Sequence, residues 1–230
     1  MILKNDFYDK NIFIKPWGFE YVIFRNKKKI GITFLKILKG KKTSLHCHTK
    51  KKTGFIILSG QAIVQVGLYK SNKKKYGPLS RLVFRPGLFH SLKAISQKGV
   101  EALEFESPFD KLDLVRFKDD YGRKDRPYEG IEFTKRLDKS FIKFRNRSHK
   151  NSYKFSNTLV KIKKVKKFTR LIKQDYKTSV SILSGEIKDK NGNIIISTGE
   201  VVRFSTLKIL SRNYIVSKPI SFLQVSKIKI

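Results

Sequence analysis

Three of the four histidines in this sequence stand where their ring nitrogens could meet. His46 and His48 flank Cys47, and side chains on a strand alternate between its two faces, so the two imidazoles are expected on one face. His90 follows Pro86-Gly87, a pair that favours a turn at the start of a strand. We expect His90 to return to the same cavity from a neighbouring strand. Three imidazoles around one point could bind a divalent metal ion such as Zn, Mn or Fe.

The elements that must position these histidines are expected to be strands. Short runs rich in Val, Ile, Phe and Tyr recur about every ten residues and are separated by Gly, Pro, Asn, Ser or Lys. Examples are Phe19–Phe24, Ile32–Leu38, Gly54–Leu58, Ala62–Leu68, Leu82–Arg85 and Val100–Phe105. This rhythm is typical of an all-β sandwich or barrel.

The chain also repeats itself. Ile57-Leu58-Ser59-Gly60 recurs as Ile182-Leu183-Ser184-Gly185, and each copy is followed by a polar hairpin and further apolar strands in the same order. We therefore predict a barrel with the metal site in residues 1–130, a linker at 131–150, and a degenerate second barrel-like domain at 151–230. The second domain contains no histidine after His149, so we expect it to be structural.

Composition limits the class of partner. The formal net charge is +34, which on its own suggests a polyanionic partner. However, Lys supplies 40 of the 52 basic residues and is dispersed among the predicted strands, and Ile, Asn, Phe and Ser are also abundant. This is the bias expected of an A/T-rich genome. We therefore expect small anions such as sugar phosphates to be attracted, and no nucleic-acid partner.

The sequence favours a cytoplasmic protein without a membrane partner. Cys47 is the only cysteine, so no intrachain disulfide can form. No run of 18 apolar residues is present, and Met1–Phe24 lacks the apolar block of a signal peptide.

The histidine pattern resembles a known family. Gly40-x5-His46-x-His48, then Gly60, then Pro86-Gly87-x2-His90 are similar to the two motifs of the cupin superfamily, and the resemblance covers roughly Lys15 to Gly130. It implies a double-stranded β-helix, a small jelly-roll-like barrel, whose motif histidines bind a divalent metal. It also implies a degenerate cupin-like second half and a homodimer, since cupins commonly pair through barrel edges.

One position departs from the motif. The family places a Glu, a further metal ligand, where this chain has Thr53, and a hydroxyl is a poor replacement for a carboxylate. Three readings stay open: a three-His site completed by water or substrate, a site completed by Glu104 or Glu106, and a site that has lost its metal. We expect only one of Glu104 and Glu106 to face the barrel interior.

The flanks of the motif narrow the resemblance. Lys15-Pro16-Trp17-Gly18 precedes the first predicted strands, and Asp113–Arg123 follows the last. Both resemble segments of the type II mannose-6-phosphate isomerase branch of the cupins. This resemblance implies a metal-dependent isomerase or epimerase that acts on a phosphorylated or nucleotide-linked sugar during the synthesis of surface-polysaccharide precursors.

Roles follow for residues outside the histidine pattern. Glu104 and Glu106 are the candidate bases, and the planar fork of Arg123 suits a substrate phosphate. Lys51, Lys52 and Trp17 are candidate substrate-binding residues, although a solvated turn is the favoured interpretation for residues 50–52. Two other functions stay open, namely a three-His iron oxygenase and a non-catalytic cupin that binds a sugar or sugar nucleotide.

Overall fold

The structure, a computed structural model, describes residues 5–27, 29–124, 131–144, 152–166, 178–216 and 219–228. These residues form antiparallel β-sheets with little helix, which confirms the predicted all-β class. The strands of the first half are β1 (Asn11–Lys15), β2 (Gly18–Asn26), β3 (Ile30–Ile37), β4 (Leu45–Cys47), β5 (Lys52–Ser59), β6 (Ala62–Val66), β7 (Lys73–Tyr76), β8 (Arg81–Phe84), β9 (His90–Ala94), β10 (Val100–Ser107), β11 (Val115–Lys118) and β12 (Thr134–Arg136).

The second half adds eight described strands. They are β13 (Ser152–Phe155), β14 (Thr158–Val165), β15 (Ser179–Ser184), β16 (Ile187–Asp189), β17 (Ile194–Ile196), β18 (Val201–Arg203), β19 (Tyr214–Val216) and β20 (Ile220–Lys227). The described helices are α1 (Asn5–Lys10), α2 (Phe204–Leu210) and a 3-10 turn at Ile131–Phe133. No helix among these residues is long and apolar enough to span a membrane.

The first half is a double-stranded β-helix made of two facing sheets. One sheet has the order β12-β1-β2-β3-β10-β5-β8, and the other has the order β11-β4-β9-β6-β7. The inner faces enclose a core of Leu35, Ile37, Val64, Leu92, Ala102 and their neighbours. Because the side chains of β10 alternate, Ala102 faces this interior while Leu103 and Phe105 face the opposite way.

The second half repeats this topology. Its sheets have the orders β13-β14-β20-β15-β18 and β17-β16-β19. These orders match β2-β3-β10-β5-β8 and β7-β6-β9 of the first half, strand for strand. The repeat of the Ile-Leu-Ser-Gly tetrapeptide thus reflects a repeated barrel fold.

The two barrels pack through one shared core. Leu103 and Phe105 of the first half are fully buried in a cluster with Leu183, Leu223 and Val225 of the second half. A glycine makes this close approach possible, because a Cβ at Gly54 would lie 2.6 Å from Cγ2 of Val201. The contact between the barrels therefore depends on the absence of a side chain at one position of β5.

The segment interpreted as a linker also packs against the first barrel. Its described part, residues 131–144, contributes β12, which pairs with β1. Phe144 is buried in the shared core, and its backbone N–H donates to the carbonyl of Ile23 at 2.9 Å. His149 lies outside the described residues.

Candidate metal centre

Two adjacent strands and the turn after one of them position the three histidines. His46 of β4 lies directly opposite His90 of β9, and His48 follows the end of β4. The ring centroids are 4.6 Å apart for His46 and His90, 5.1 Å for His46 and His48, and 5.4 Å for His48 and His90. Each ring offers a nitrogen that lies within 4.8 Å of the others. The rings therefore converge on one place, as the alternation of side chains predicted.

Backbone carbonyls fix the orientation of all three rings. Nδ1 of His46 lies 2.9 Å from the carbonyl oxygen of Ser44. Nδ1 of His48 lies 2.6 Å from the carbonyl oxygen of Asp113, and Nδ1 of His90 lies 3.0 Å from that of Leu88. A carbonyl oxygen can only accept, so each Nδ1 carries the proton and each Nε2 presents a lone pair. Metal-binding histidines commonly have this arrangement.

The free nitrogens are suited to an ion. Nε2 of His48 and Nε2 of His90 are buried and have no hydrogen-bond partner within the part of the chain that the structure describes. A buried acceptor without a partner is costly. A divalent cation would satisfy both atoms, so these residues fit the metal that the sequence pattern predicts.

Burial keeps the rings neutral. Burial is the main reason that the pKa values of His46 and His48 lie well below the usual range, and burial also lowers the pKa of His90 to about 4. Phe84 contributes to the burial of His90, since the two rings stack with centroids 4.2 Å apart. At neutral pH all three imidazoles are therefore neutral, with Nε2 free of a proton, which is the form that binds metal.

Thr53 stands in the place of the motif's carboxylate ligand, and no carboxylate of the described residues joins the three histidines. Thr53 is fully buried, and its register opposite Glu106 places it on the inner face. Among the described His, Cys, Asp and Glu side chains, only the three histidines come close enough together to hold an ion. Neither Glu104 nor Glu106 belongs to this group of converging side chains. The carboxylate of Glu106 binds lysines instead.

Two buried lysines hold Glu106. Its carboxylate lies 2.6 Å from Nζ of Lys51 and 2.6 Å from Nζ of Lys111, and it accepts a hydrogen bond from Thr33 at 2.9 Å. Burial alone would raise the pKa of Glu106, but the charges of Lys111 and Lys51 lower it well below its usual range. Glu106 is therefore a permanent anion that anchors two cations inside the barrel.

Glu104 has the opposite electrostatic environment. It lines the same cavity, and burial together with the charge of Glu106 raises its pKa to about 8. The expectation that only one of these two residues faces the interior is wrong, because residues two apart on a strand share a face. Glu104 thus carries a proton at neutral pH beside a carboxylate that does not.

The structure separates the two candidate lysines. Lys51 is 2% exposed and lines the cavity, so the interpretation of residues 50–52 as a solvated turn is wrong at this position. The side chain of Lys52 turns to the second barrel, where its amine lies 2.5 Å from Glu200 and donates to Ser197 at 3.1 Å. Lys52 is not among the cavity-lining residues that the structure describes.

Trp17 and Arg123 both line the cavity and are buried. Asp119 engages the guanidinium of Arg123, with contacts of 2.7 Å and 3.2 Å. The same guanidinium lies 5.2 Å from the ring centroid of Tyr121. The fork of Arg123 is therefore held in place at the cavity by its own loop.

Sequence reasoning missed several charged residues of the cavity. Lys15, Glu20, Lys111 and Arg116 also line it. Lys15 and Glu20 lie at the two ends of the segment around Trp17, and this position next to a candidate site residue could have indicated them. Lys111 had none, because one lysine among 40 carries no information until its buried partner is known.

Comparison with known proteins finds similar solved structures at low sequence identity. No family model matches the chain, and no curated protein sequence matches it. Solved structures that are similar to it include the cupin domain of Cnp3 from Schizosaccharomyces pombe, with 14% identity, 40% of this chain and 64% of that one covered, and a TM-score of 0.37. A double-stranded β-helix protein from Klebsiella pneumoniae matches with 14% identity, 46% and 89% coverage, and a TM-score of 0.36. The capsular polysaccharide assembling protein CapF from Staphylococcus aureus matches with 13% identity, 47% and 34% coverage, and a TM-score of 0.41.

Proposed function

We propose that this protein is a metal-dependent isomerase or epimerase that acts on a phosphorylated or nucleotide-linked sugar. The observation that carries the proposal is the presence, in one barrel, of three converging imidazoles and a buried glutamate, Glu104, that lines the adjoining cavity. His46, His48 and His90 would hold the ion. A bound divalent ion supplies Lewis acidity, which polarises a substrate carbonyl and stabilises an enediolate.

Glu104 is the residue suited to move the proton. An isomerase must take a proton from one carbon and return it to the next, so the group needs a pKa near the working pH. The pKa of Glu104, raised to about 8, meets this condition, because its ionised fraction accepts the proton from one carbon and the resulting acid returns it to the next. Glu106 cannot serve in the same way, since Lys51 and Lys111 keep it ionised.

The charge of the cavity favours an anionic substrate. Lys15, Lys51, Lys111, Arg116 and Arg123 all line it. Glu20 and Glu106 are the acidic lining residues besides Glu104, which is neutral at pH 7, and Asp119 offsets the charge of Arg123. The excess of positive charge in a barrel of low dielectric attracts an anion such as a sugar phosphate.

The test is an activity assay on the full chain with Mn, Zn, Co or Fe added. Mannose 6-phosphate, other sugar phosphates and nucleotide sugars are incubated in D2O, and NMR records the exchange of the C–H proton and the product. We expect exchange and turnover that disappear in Glu104→Gln. Glu101→Gln is the matched control, because Glu101 lies on the same strand and bonds to Lys36 at 3.0 Å. Tight binding without exchange, or turnover after all metal is removed, would contradict the proposal.

A second candidate, a three-His metal oxygenase, is favoured by two observations. The described ligand set contains histidine alone, and the cavity volume of about 60 Å³ is small. Ligand pockets commonly have about 300–1,000 Å³. Iron-dependent oxygen uptake with no isomerisation of any sugar would select this candidate.

A further inference from the structure

The outer face of the His-bearing sheet differs in character from its inner face. Ala62 and Val64 of β6 are fully buried inside the barrel, so Ile63 and Gln65 point outward. The register with β9 places Lys93 opposite Ile63 on this same outer face. The surface is therefore separated from the metal centre by the thickness of the sheet.

This outer face forms the floor of a concave groove, which we call the lysine groove. Its volume is about 630 Å³, within the range of small-molecule sites. Six of its fifteen lining residues are lysines, compared with 40 of 230 in the whole chain. They are Lys41, Lys42, Lys70, Lys73, Lys93 and Lys118. The groove is thus enriched in positive charge even against the basic background of this protein.

The charges in the groove are largely uncompensated. Asp120 is the one acidic residue that lines it, and it pairs with Lys42 at 2.7 Å. None of the other five lysines forms an ion pair with any residue in the described ranges. Five ammonium groups around one concavity repel one another and focus a positive potential into it. A ligand with several negative charges would relieve this repulsion.

The apolar residues of the groove indicate a second property of the ligand. Ile63, Leu45 and Leu68 line it together with Phe117, whose side chain is 50% exposed. Aromatic rings that remain accessible offer a stacking surface for a nucleobase. The ring of Phe117 is supported from the side by Phe89, with centroids 5.7 Å apart.

We propose that the lysine groove is a second binding site and that it takes a nucleoside diphosphate. Lys73 and Lys93 would contact the diphosphate, and Phe117 would contact the base. The volume suits a ligand of this size, and the charges suit two adjacent phosphates. This inference does not depend on the proposed reaction in the barrel.

The test is calorimetric titration of the full chain with UDP, with pyrophosphate and with short single-stranded DNA. We expect UDP and pyrophosphate to bind at one site. The double variant Lys73→Gln/Lys93→Gln should weaken both by about tenfold, as expected for the loss of two charge contacts. Lys135→Gln/Lys154→Gln, a control pair of exposed strand lysines with the same change in net charge, should alter affinity less than about twofold. Phe117→Ser should weaken UDP and leave pyrophosphate unchanged.

Three results would overturn the inference. Equal weakening in both double variants would mean a general effect of net charge. Affinity that rises steadily with DNA length and exceeds that of UDP would indicate a nucleic-acid surface. Loss of UDP binding in His48→Ala, with the groove intact, would place the nucleotide in the barrel.

Discussion

The corresponding strands of the two barrels have the same order, but the interior of the first barrel contains charged side chains and the described interior of the second is apolar. The strand register identifies Ala102 and Phe222 as equivalent positions. Ala102 lies opposite Ile57 in the first barrel, and Phe222 lies opposite Ile182, the repeat counterpart of Ile57, in the second. Phe222 is fully buried in the apolar cluster of the second barrel, and Ala102 is fully buried in that of the first. A small residue of the first barrel therefore stands where its counterpart in the second barrel is aromatic.

The same comparison holds for the charged residues. Glu104 lies opposite Phe55, and its counterpart Gln224 lies opposite Val180. In its described residues the second barrel has an apolar core without buried charged side chains, so this topology does not need an ionic interior. Burying ion pairs commonly costs more free energy than it returns. The lysines and carboxylates of the first barrel are thus not a requirement of the fold, which supports a role for them in binding or chemistry.

The largest expected effect comes from removing a histidine, which makes the first barrel resemble the second. His48→Ala or His46→Ala should lower metal affinity by more than about 100-fold, because loss of a ligand exceeds the effect of losing an outer partner. Elemental analysis and calorimetry on untagged protein measure this effect. His149→Ala is the control and should retain full metal content. Equal occupancy in all variants would show that the ion binds elsewhere.

Opening the second barrel should destabilise it. Phe222→Ala removes a fully buried ring, and such changes cost about 3–5 kcal/mol. Urea unfolding gives the change in free energy. A loss below about 1 kcal/mol would mean that the second core tolerates a cavity, and the comparison with Ala102 would lose its physical basis.

A smaller effect on stability is expected from Glu104→Gln, which gives the first barrel the residue type that its counterpart Gln224 has in the second. The folded-state pKa of Glu104, about 8, lies above its ordinary value of 4.5, so the unfolded chain releases this proton at lower pH than the folded protein does. The stability due to this group is complete below about pH 4.5 and falls as the pH rises toward 8. Glu104→Gln does not titrate, so it should gain stability over wild type across this window.

Thermal unfolding at several pH values measures this difference, and Glu101→Gln is again the control. The pKa of Glu101 is lowered rather than raised, chiefly because hydrogen bonds from Lys36 and Ser156 outweigh its burial. A constant difference between wild type and Glu104→Gln from about pH 5 to 8 would contradict the protonated state of Glu104.

Local patterns predicted the fold and the histidines because they depend on residues close in sequence. The alternation of His46 and His48 fixes their common face, and the tetrapeptide repeat indicated the second barrel. The lysine–carboxylate cluster includes a pairing between residues 55 apart, Lys51 with Glu106. No local rule distinguishes a buried lysine from an exposed one when its partner is so distant, so Lys51 was misinterpreted. Lys111 is only five residues from its partner Glu106, but it follows the end of β10, and no alternation pattern there indicates that it turns back into the barrel.

The shared core gives the duplication a consequence for assembly. Each barrel offers the other the apolar face that a separate subunit would otherwise have to cover. The covalent connection keeps that partner at a fixed and high effective concentration, so the pairing of the barrels does not weaken on dilution as a dimer's would. A chain cut after residue 150 would expose Leu103, Phe105 and their neighbours to water, and we expect such a fragment to associate with itself or precipitate.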